Sequence, residues 1–288
     1  MARIRINDLE LEYELMGRPG APAVALTPGG RYSMETPGYR ELAEALGAAG
    51  RRVLIWDRPN CGASDLTFEG DSESGVQGRT LAALIEELDL GRTALAGGSA
   101  GSRVSIIAAT AAPDLVSHMV LWWISGGAIS LVSLAWHYYC EAAHLVGLGG
   151  MEAVADSKTW ADQIKRNPRA RQQLLSQDPA KFLAVMERWS KRFSAPDDSP
   201  IPGMTPADFA KLKMPILVFR SGKSDVAHPR RISEWVHDLI PQSKIVDPPW
   251  PDEEWNNRRR DVATGAAPGL FVNWPKLAPT ILDFLKTG

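Results

Sequence analysis

Short apolar runs alternate with amphipathic stretches along most of the chain. Apolar runs bounded by turn residues are typical of buried strands, and apolar residues at every third or fourth position are typical of helices. This alternation predicts an α/β protein with a mostly parallel central sheet and helices on both faces. The predicted strands are 4–15, 23–26, 52–56, 93–96, 118–124, 216–220 and 244–246. The predicted helices outside the region 126–213 are 39–49, 78–88, 102–111, 230–239 and 274–286.

The region 126–213 breaks the alternation, because helical patterns follow one another there without an intervening strand. A segment rich in Pro, Asp and Ser, 194–206, follows the last of these helices and has the composition of a linker. We therefore predict that 126–213 form a helical cap inserted after the strand 118–124. Residues 1–125 and 214–288 then form the core.

Charge and composition argue against several kinds of partner. The formal net charge of −2 gives no basis for binding nucleic acid or an anionic membrane. No apolar stretch approaches the roughly 18 residues of a transmembrane helix, and the N-terminus lacks the layout of a signal peptide. Cys61 and Cys140 make neither a metal-binding spacing nor a disulfide framework. We expect a cytoplasmic protein, and we expect the arginine run 258–260 to lie in a solvated loop.

The sequence around Ser99 predicts a strand, a tight turn and a helix in immediate succession. The strand 92–96 is followed by Gly-Gly-Ser-Ala-Gly at 97–101 and then by an apolar helix. This is a G-x-S-x-G nucleophile elbow, in which small flanking residues let the serine occupy a strained turn. The turn raises the hydroxyl above the sheet, and the helix directs free N–H groups towards it. Ser99 is therefore the predicted nucleophile.

Three further segments appear in a defined order around this turn. They are Leu-Thr-Pro-Gly-Gly-Arg at 26–31, Trp-Asp-Arg-Pro-Asn-Cys-Gly-Ala-Ser-Asp at 56–65 and Phe-Arg-Ser-Gly-Lys-Ser-Asp at 219–225. Together with the turn at Ser99, they resemble the α/β-hydrolase superfamily, in particular its capped branch related to proline iminopeptidases and epoxide hydrolases. The resemblance extends over nearly the whole chain and implies that superfamily's fold.

The resemblance also implies roles for four positions. The backbone N–H of Ala100, together with that of Gly30 or Arg31, would form an oxyanion hole. Such donors are worth roughly 3 kcal/mol each when they point at developing negative charge. Asp225 follows a buried strand at the position from which the superfamily's acid orients a catalytic histidine.

That histidine is absent from its usual place near the C-terminus. No histidine follows His237 in the chain. Counting forward from the strand 244–246 puts the expected position near 252–254, and counting back from the last helix puts it near 267–268. The intervening stretch therefore resembles an insertion that rebuilt this loop.

Three substitutes for the missing base remain open. His228 lies three residues after Asp225 and is the strongest of them. Glu253 or Glu254 would place a carboxylate in the vacant position, although an exposed carboxylate with a pKa near 4.3 is a weak base for a hydroxyl. The third is His137 in the cap.

The cap and the strand before it are rich in aromatic residues, and the predicted pocket includes Trp123, His137 and Tyr138. Aromatic walls with few polar groups favour a small, mainly apolar substrate. His137, Glu141 and His144 contain an E-x-x-H spacing, but a di-metal bundle needs a second such helix. We therefore predict no metal site.

These features predict a serine hydrolase that cleaves a small, mainly apolar ester-like or activated C–C substrate through Ser99 and uses no cofactor. The missing histidine motivates two alternatives. One is a pseudo-enzyme that binds a ligand without turnover. The other is a lyase or isomerase that uses the oxyanion hole without an acyl-enzyme. The sequence does not identify the substrate, and it is compatible with a homodimer.

Overall fold

An eight-stranded sheet forms the centre of the protein, for which a computed structural model describes residues 1–194 and 196–286. The strands are β1 (Ala2–Ile6), β2 (Leu9–Met16), β3 (Ala23–Thr27), β4 (Arg52–Trp56), β5 (Thr93–Gly98), β6 (Val116–Trp122), β7 (Ile216–Phe219) and β8 (Lys244–Val246). Their order is β1-β2-β4-β3-β5-β6-β7-β8. Only the pairs β1–β2 and β2–β4 are antiparallel. The mostly parallel α/β sheet predicted from the sequence is confirmed.

Helices connect the strands. They are α1 (Tyr39–Ala48), α2 (Glu73–Glu87), α3 (Ala100–Ala111), α4 (Ala128–Ala135), α5 (Glu141–Ala155), α6 (Ala161–Arg166), α7 (Ala170–Leu175), α8 (Pro179–Arg192), α9 (Pro206–Phe209), α10 (Arg230–Leu239), α11 (Glu254–Ala263) and α12 (Ala278–Phe284). A π-helical turn, Trp136–Cys140, joins α4 to α5. Within the described residues, no helix combines the length and apolarity needed to cross a bilayer.

Successive residues of the inner strands enter two different hydrophobic clusters. Ala25 and Leu54 pack with α2, α3 and α10, whereas Leu26 and Ile55 pack with α1 and α12. Neighbouring side chains of a strand point to opposite faces, so both faces of this sheet are covered by helices. This explains why the inner strands are apolar at nearly every position.

The helices α4 to α9 lie between β6 and β7 in the chain and build a third apolar cluster around Trp160, Phe182 and Trp189. Polar contacts also connect this helical segment to the core. The Tyr139 hydroxyl donates to Glu73, at the start of α2, over 3.2 Å.

Two local predictions were wrong. The predicted strand 4–15 is a hairpin of β1 and β2, because Asn7 and Asp8 adopt φ values of 47° and 66°. Asn and Asp tolerate this left-handed conformation, which two-residue hairpin turns require. The arginine run 258–260 lies in helix α11 and not in a loop. Arg258 pairs there with carboxylates one turn away, which stabilises the helix.

Candidate active site

Ser99 lies in a strained turn between β5 and α3. Its backbone angles, φ 57° and ψ −119°, are rare for a residue with a side chain. The Ser99 N–H donates to the Trp122 carbonyl over 3.1 Å, which fixes the turn to the neighbouring strand. A Cβ at Gly101 would lie only 2.1 Å from the Thr27 carbonyl oxygen, so the close approach of α3 to β3 requires glycine there.

His228 lies between Ser99 and Asp225. Its Nε2 is 2.9 Å from the Ser99 Oγ, and its Nδ1 is 3.0 Å from the Asp225 Oδ2. Asp225 and His228 are both buried. A neutral imidazole that donates from Nδ1 to the carboxylate leaves Nε2 free to accept the serine proton. The arrangement can therefore move a proton from the hydroxyl to the ring.

A tight loop allows an acid and a base only three residues apart to face each other. The second oxygen of Asp225, Oδ1, accepts the N–H groups of Ala227 over 2.9 Å and of His228 over 2.8 Å. This Asx-type turn folds the chain back over the carboxylate. Helix α10 then starts directly after Pro229. The loop between β7 and α10 thus supplies both groups.

Two indole rings enclose the His228 imidazole. The Trp123 ring stacks on it with centroids 5.6 Å apart and an interplanar angle of 13°, and the Trp255 ring meets it at 85° with centroids 4.6 Å apart. Trp123 was predicted to line the pocket, but it does not reach the cavity wall. Its φ of 48° bends the chain after β6, and its ring, 3% exposed, is buried behind the imidazole.

The glutamates at 253 and 254, considered as substitutes for the missing base, are not among the residues that line the cavity. The Glu254 carboxylate accepts from the Asn273 side chain over 2.7 Å and pairs with Arg258 at 3.2 Å. It therefore anchors α11 to the segment that follows it. Neither Glu253 nor Glu254 lines the cavity next to Ser99, so the glutamate alternative has no geometric support.

Backbone N–H groups lie beside the Ser99 hydroxyl. An ideal Cβ on Gly29 would lie 3.0 Å from the Ser99 Cβ, which shows how closely the loop after β3 approaches the serine. Among the residues that the structure describes, the N–H groups of Gly30, Arg31 and Ala100 have no acceptor. These donors are available to an oxygen bound at the serine.

Buried side chains hold this loop from behind. The Arg58 guanidinium donates to the carbonyls of Gly29, over 3.2 Å, and Gly30. Gln163 of α6 donates to the Arg31 carbonyl over 3.2 Å. Because the carbonyl oxygens of Gly29, Gly30 and Arg31 all accept hydrogen bonds from these side chains, the loop is fixed in one orientation.

A cavity of about 750 Å³ opens at Ser99 and His228 and is lined by the helical segment on one side and by α11 on another. This volume suits a small-molecule ligand. His137 and Tyr138, predicted as pocket residues, both line it. Burial lowers the pKa of His137 and raises that of Tyr138 to about 12. Both side chains are therefore uncharged near neutral pH.

The wall of the cavity also contains charged side chains that the aromatic pattern did not predict. Four are basic and two are acidic: Arg31, Lys158, Arg166, Arg259, Glu35 and Asp162. Several other aromatic residues of the region 126–213 pack inside the protein, Trp160 and Trp189 among them. Sequence periodicity did not separate these rings from those at the cavity.

Sequence reasoning missed two neighbours of the catalytic candidates. The Ser125 Oγ lies 3.4 Å from the Ser99 Oγ, and no local motif marks it. Trp255 contacts the His228 ring, whereas its place in the chain indicated only a neighbour of Glu253 and Glu254.

The E-x-x-H spacing considered for a metal has another use. The Glu141 carboxylate accepts a hydrogen bond from the Thr159 hydroxyl over 2.8 Å. In the described part of the chain, no three potential metal ligands come together.

Comparison with known proteins agrees with this fold. A family model for the alpha/beta hydrolase fold matches residues 22–252. A 2-hydroxy-6-oxononadienedioate/2-hydroxy-6-oxononatrienedioate hydrolase from Cupriavidus pinatubonensis is 34% identical over 132 residues, which cover 44% of this chain and 46% of that protein. A Pseudomonas putida enzyme of the same name is 28% identical over 123 residues, 43% of each chain. The chain thus spans less than half the length of the curated relatives it matches.

Solved structures extend the likeness to the whole chain. The enol-lactonase from Burkholderia xenovorans has a TM-score of 0.57 at 20% identity and covers 99% of this chain and 100% of its own. The bromoperoxidase from Bacillus anthracis has a TM-score of 0.59 at 19% identity and covers 99% of both chains. At these identities the likeness concerns the fold alone. With its sheet, its serine turn and the match over 22–252, the chain belongs to the alpha/beta hydrolase fold family.

Proposed function

We propose that the protein is a serine hydrolase with Ser99 as nucleophile, His228 as general base and Asp225 as the acid that orients it. The observation that supports this most is the unbroken hydrogen-bonded series from Asp225 through the imidazole to the Ser99 hydroxyl. A nucleophile within hydrogen-bond reach of a base that a third group orients is the recurring arrangement of such enzymes.

The proposed reaction has two steps. The Ser99 oxygen attacks a substrate carbonyl carbon while the His228 Nε2 takes the hydroxyl proton, and the N–H groups of Ala100 and Gly30 or Arg31 stabilise the oxyanion. The tetrahedral intermediate collapses, and the leaving group departs with the proton from His228. Water, deprotonated by His228, then attacks the acyl-serine and releases a carboxylic acid and the free Ser99 hydroxyl.

The proposed substrate is a small molecule with an ester-like or activated C–C bond. Hydrolases of 2-hydroxy-6-oxo acids among the relatives favour an electrophilic carbonyl. We also propose that 126–213 act as a cap, since residues of this segment form one wall of the cavity above Ser99. The alternatives without hydrolysis were motivated by the missing histidine, and the 2.9 Å between His228 Nε2 and the Ser99 Oγ supports hydrolysis over them.

Labelling with a fluorophosphonate tests the proposal without knowledge of the substrate, because the probe reacts with activated serines. We expect one adduct, located on the Ser99 peptide by mass spectrometry. Ser99→Ala should abolish it, whereas Ser133→Ala, a matched change at another serine of the cavity wall, should retain it. A folded wild-type protein that forms no adduct would contradict the proposed function.

A further inference from the structure

The charged side chains around the cavity are unevenly paired. Asp162 pairs with Arg166 at 2.9 Å, and Glu35 pairs with Arg40 at 2.7 Å. Both carboxylates in the cavity wall are therefore compensated by neighbouring arginines.

Two of the basic side chains remain uncompensated. Arg31 pairs with Glu73 at 3.2 Å, in the interior behind the wall. For Lys158 and Arg259, the residues described in the structure offer no ion-pair partner. Lys158 belongs to the helical segment and Arg259 to α11, so a positive charge stands on each side of the cavity.

Helix α11 sets the distance between Arg259 and the proposed catalytic groups. Trp255, Arg259 and Val262 follow at i, i+4 and i+7, share one face of the helix and line the cavity. Trp255 contacts the His228 ring, with centroids 4.6 Å apart. Arg259 is about 6 Å further along the helix axis, since each residue adds about 1.5 Å.

Apolar side chains and Tyr32 line the cavity together with this exposed arginine. Val226 and Val262 are two of these apolar side chains, and both are exposed. Burial raises the pKa of the Tyr32 hydroxyl, and the nearby Arg259 charge acts in the opposite direction. A ligand that extends from Ser99 along α11 would meet first apolar surface and then a cation.

We propose that Arg259 and Lys158 form a subsite for a carboxylate, so that the substrate is an acyl compound whose carboxylate is joined to the reacting carbonyl by a short apolar chain. This inference rests on the proposed function for the position of the reacting carbonyl. The arginine fork suits a planar carboxylate, and the lysine adds a second charge that shifts easily to reach it.

Binding to the Ser99→Ala protein tests the subsite without turnover. The probes are monomethyl adipate, which has one carboxylate, and dimethyl adipate, its neutral counterpart of similar length. By calorimetry, we expect the monoester to bind about five- to tenfold more tightly at low salt, with the preference shrinking at high salt. Arg259→Gln should remove most of this preference, and Lys158→Gln should reduce it.

Arg260→Gln is the matched control, because Arg260 neighbours Arg259 on the helix but is absent from the cavity wall. It should leave the preference unchanged. The inference is overturned if neither probe binds at millimolar concentration, if both bind equally, or if Arg260→Gln and Arg259→Gln act alike. Fluorophosphonate labelling is a separate readout, so the subsite can fail while the proposed function stands.

Discussion

Two segments at the same edge of the sheet differ in what they contribute. The loop between β7 and α10 contains both Asp225 and His228 within four residues; the two are hydrogen-bonded to each other, and His228 is also hydrogen-bonded to Ser99. The segment after β8, where the superfamily resemblance implied the histidine, instead forms α11 and brings Trp255 against the imidazole.

The comparison shows that position at the serine, and not place in the chain, determines whether a histidine can serve as its base. An Asx-type turn makes three residues of separation sufficient in one loop. The segment after β8 contains no histidine; its Trp255 packs against the imidazole, and its Arg259 forms part of the cavity wall.

The largest effect is expected at the acid in the first loop. Asp225→Asn keeps the shape but replaces the carboxylate oxygen that faces Nδ1 with either an amide donor or a neutral acceptor. The imidazole then loses its orientation and charge stabilisation, and we expect labelling of Ser99 to slow by about 10³- to 10⁴-fold. Circular dichroism should show an intact fold. A rate within a few-fold of wild type would contradict the role of Asp225.

A smaller effect is expected in the second segment. Trp255→Leu removes the ring whose edge meets the imidazole, and a poorly fixed base should lower the labelling rate by about 10- to 100-fold. Trp250→Leu is the matched control, because the Trp250 ring packs on Trp123, with centroids 5.7 Å apart, and does not pack on His228 among the described residues. Equal losses in the two variants would show a general packing effect.

Helix α11 itself is expected to depend on Glu254. Glu254→Gln weakens the bonds to Asn273 and Arg258, and the free energy of unfolding should fall by about 1–3 kcal/mol. The exposed neighbour offers a control, since Glu253→Gln should change stability by less than about 0.5 kcal/mol. Urea denaturation measures both. A neutral result at Glu254 would show that α11 is held by its apolar contacts alone.

The smallest effect is expected at the cap histidine. Burial lowers the pKa of His137, so this side chain is neutral at pH 7 and would show its protonation only at acidic pH. If His228 is the base, as proposed, His137→Gln should leave both the labelling rate at pH 7 and the alkaline limb of its pH profile unchanged. A thousandfold loss would instead make His137 the base.

Much of the fold and part of the site follow from local patterns. The inner strands are apolar at nearly every position and were found to within a few residues, and the turn at Ser99 is defined by adjacent glycines. Asp225 and His228 were named because they lie close together in the chain. The distances from His228 to Asp225 and to Ser99 depend on how the loop folds, so the sequence alone did not decide between His228 and the other candidate bases.

Other features depend on three-dimensional packing that no local pattern encodes. Trp123 was predicted to line the pocket, but at its positive φ the ring stacks on the His228 imidazole instead. Helix α11 is rich in charged residues and lacks apolar periodicity, so the sequence pattern did not predict it. Ion pairs between residues one turn apart stabilise it. Arg259 thereby went from a predicted solvated loop to the wall of the cavity.

The rate of fluorophosphonate labelling in His228→Ala tests the central claim most directly. If His228 is the base, its removal deprives Ser99 of the imidazole nitrogen 2.9 Å from its hydroxyl, and the second-order rate constant for adduct formation should fall by at least about 10³-fold while the fold persists. Added imidazole should restore part of the rate if it enters the vacated space. Labelling of Ser99 at the wild-type rate in His228→Ala would contradict the account.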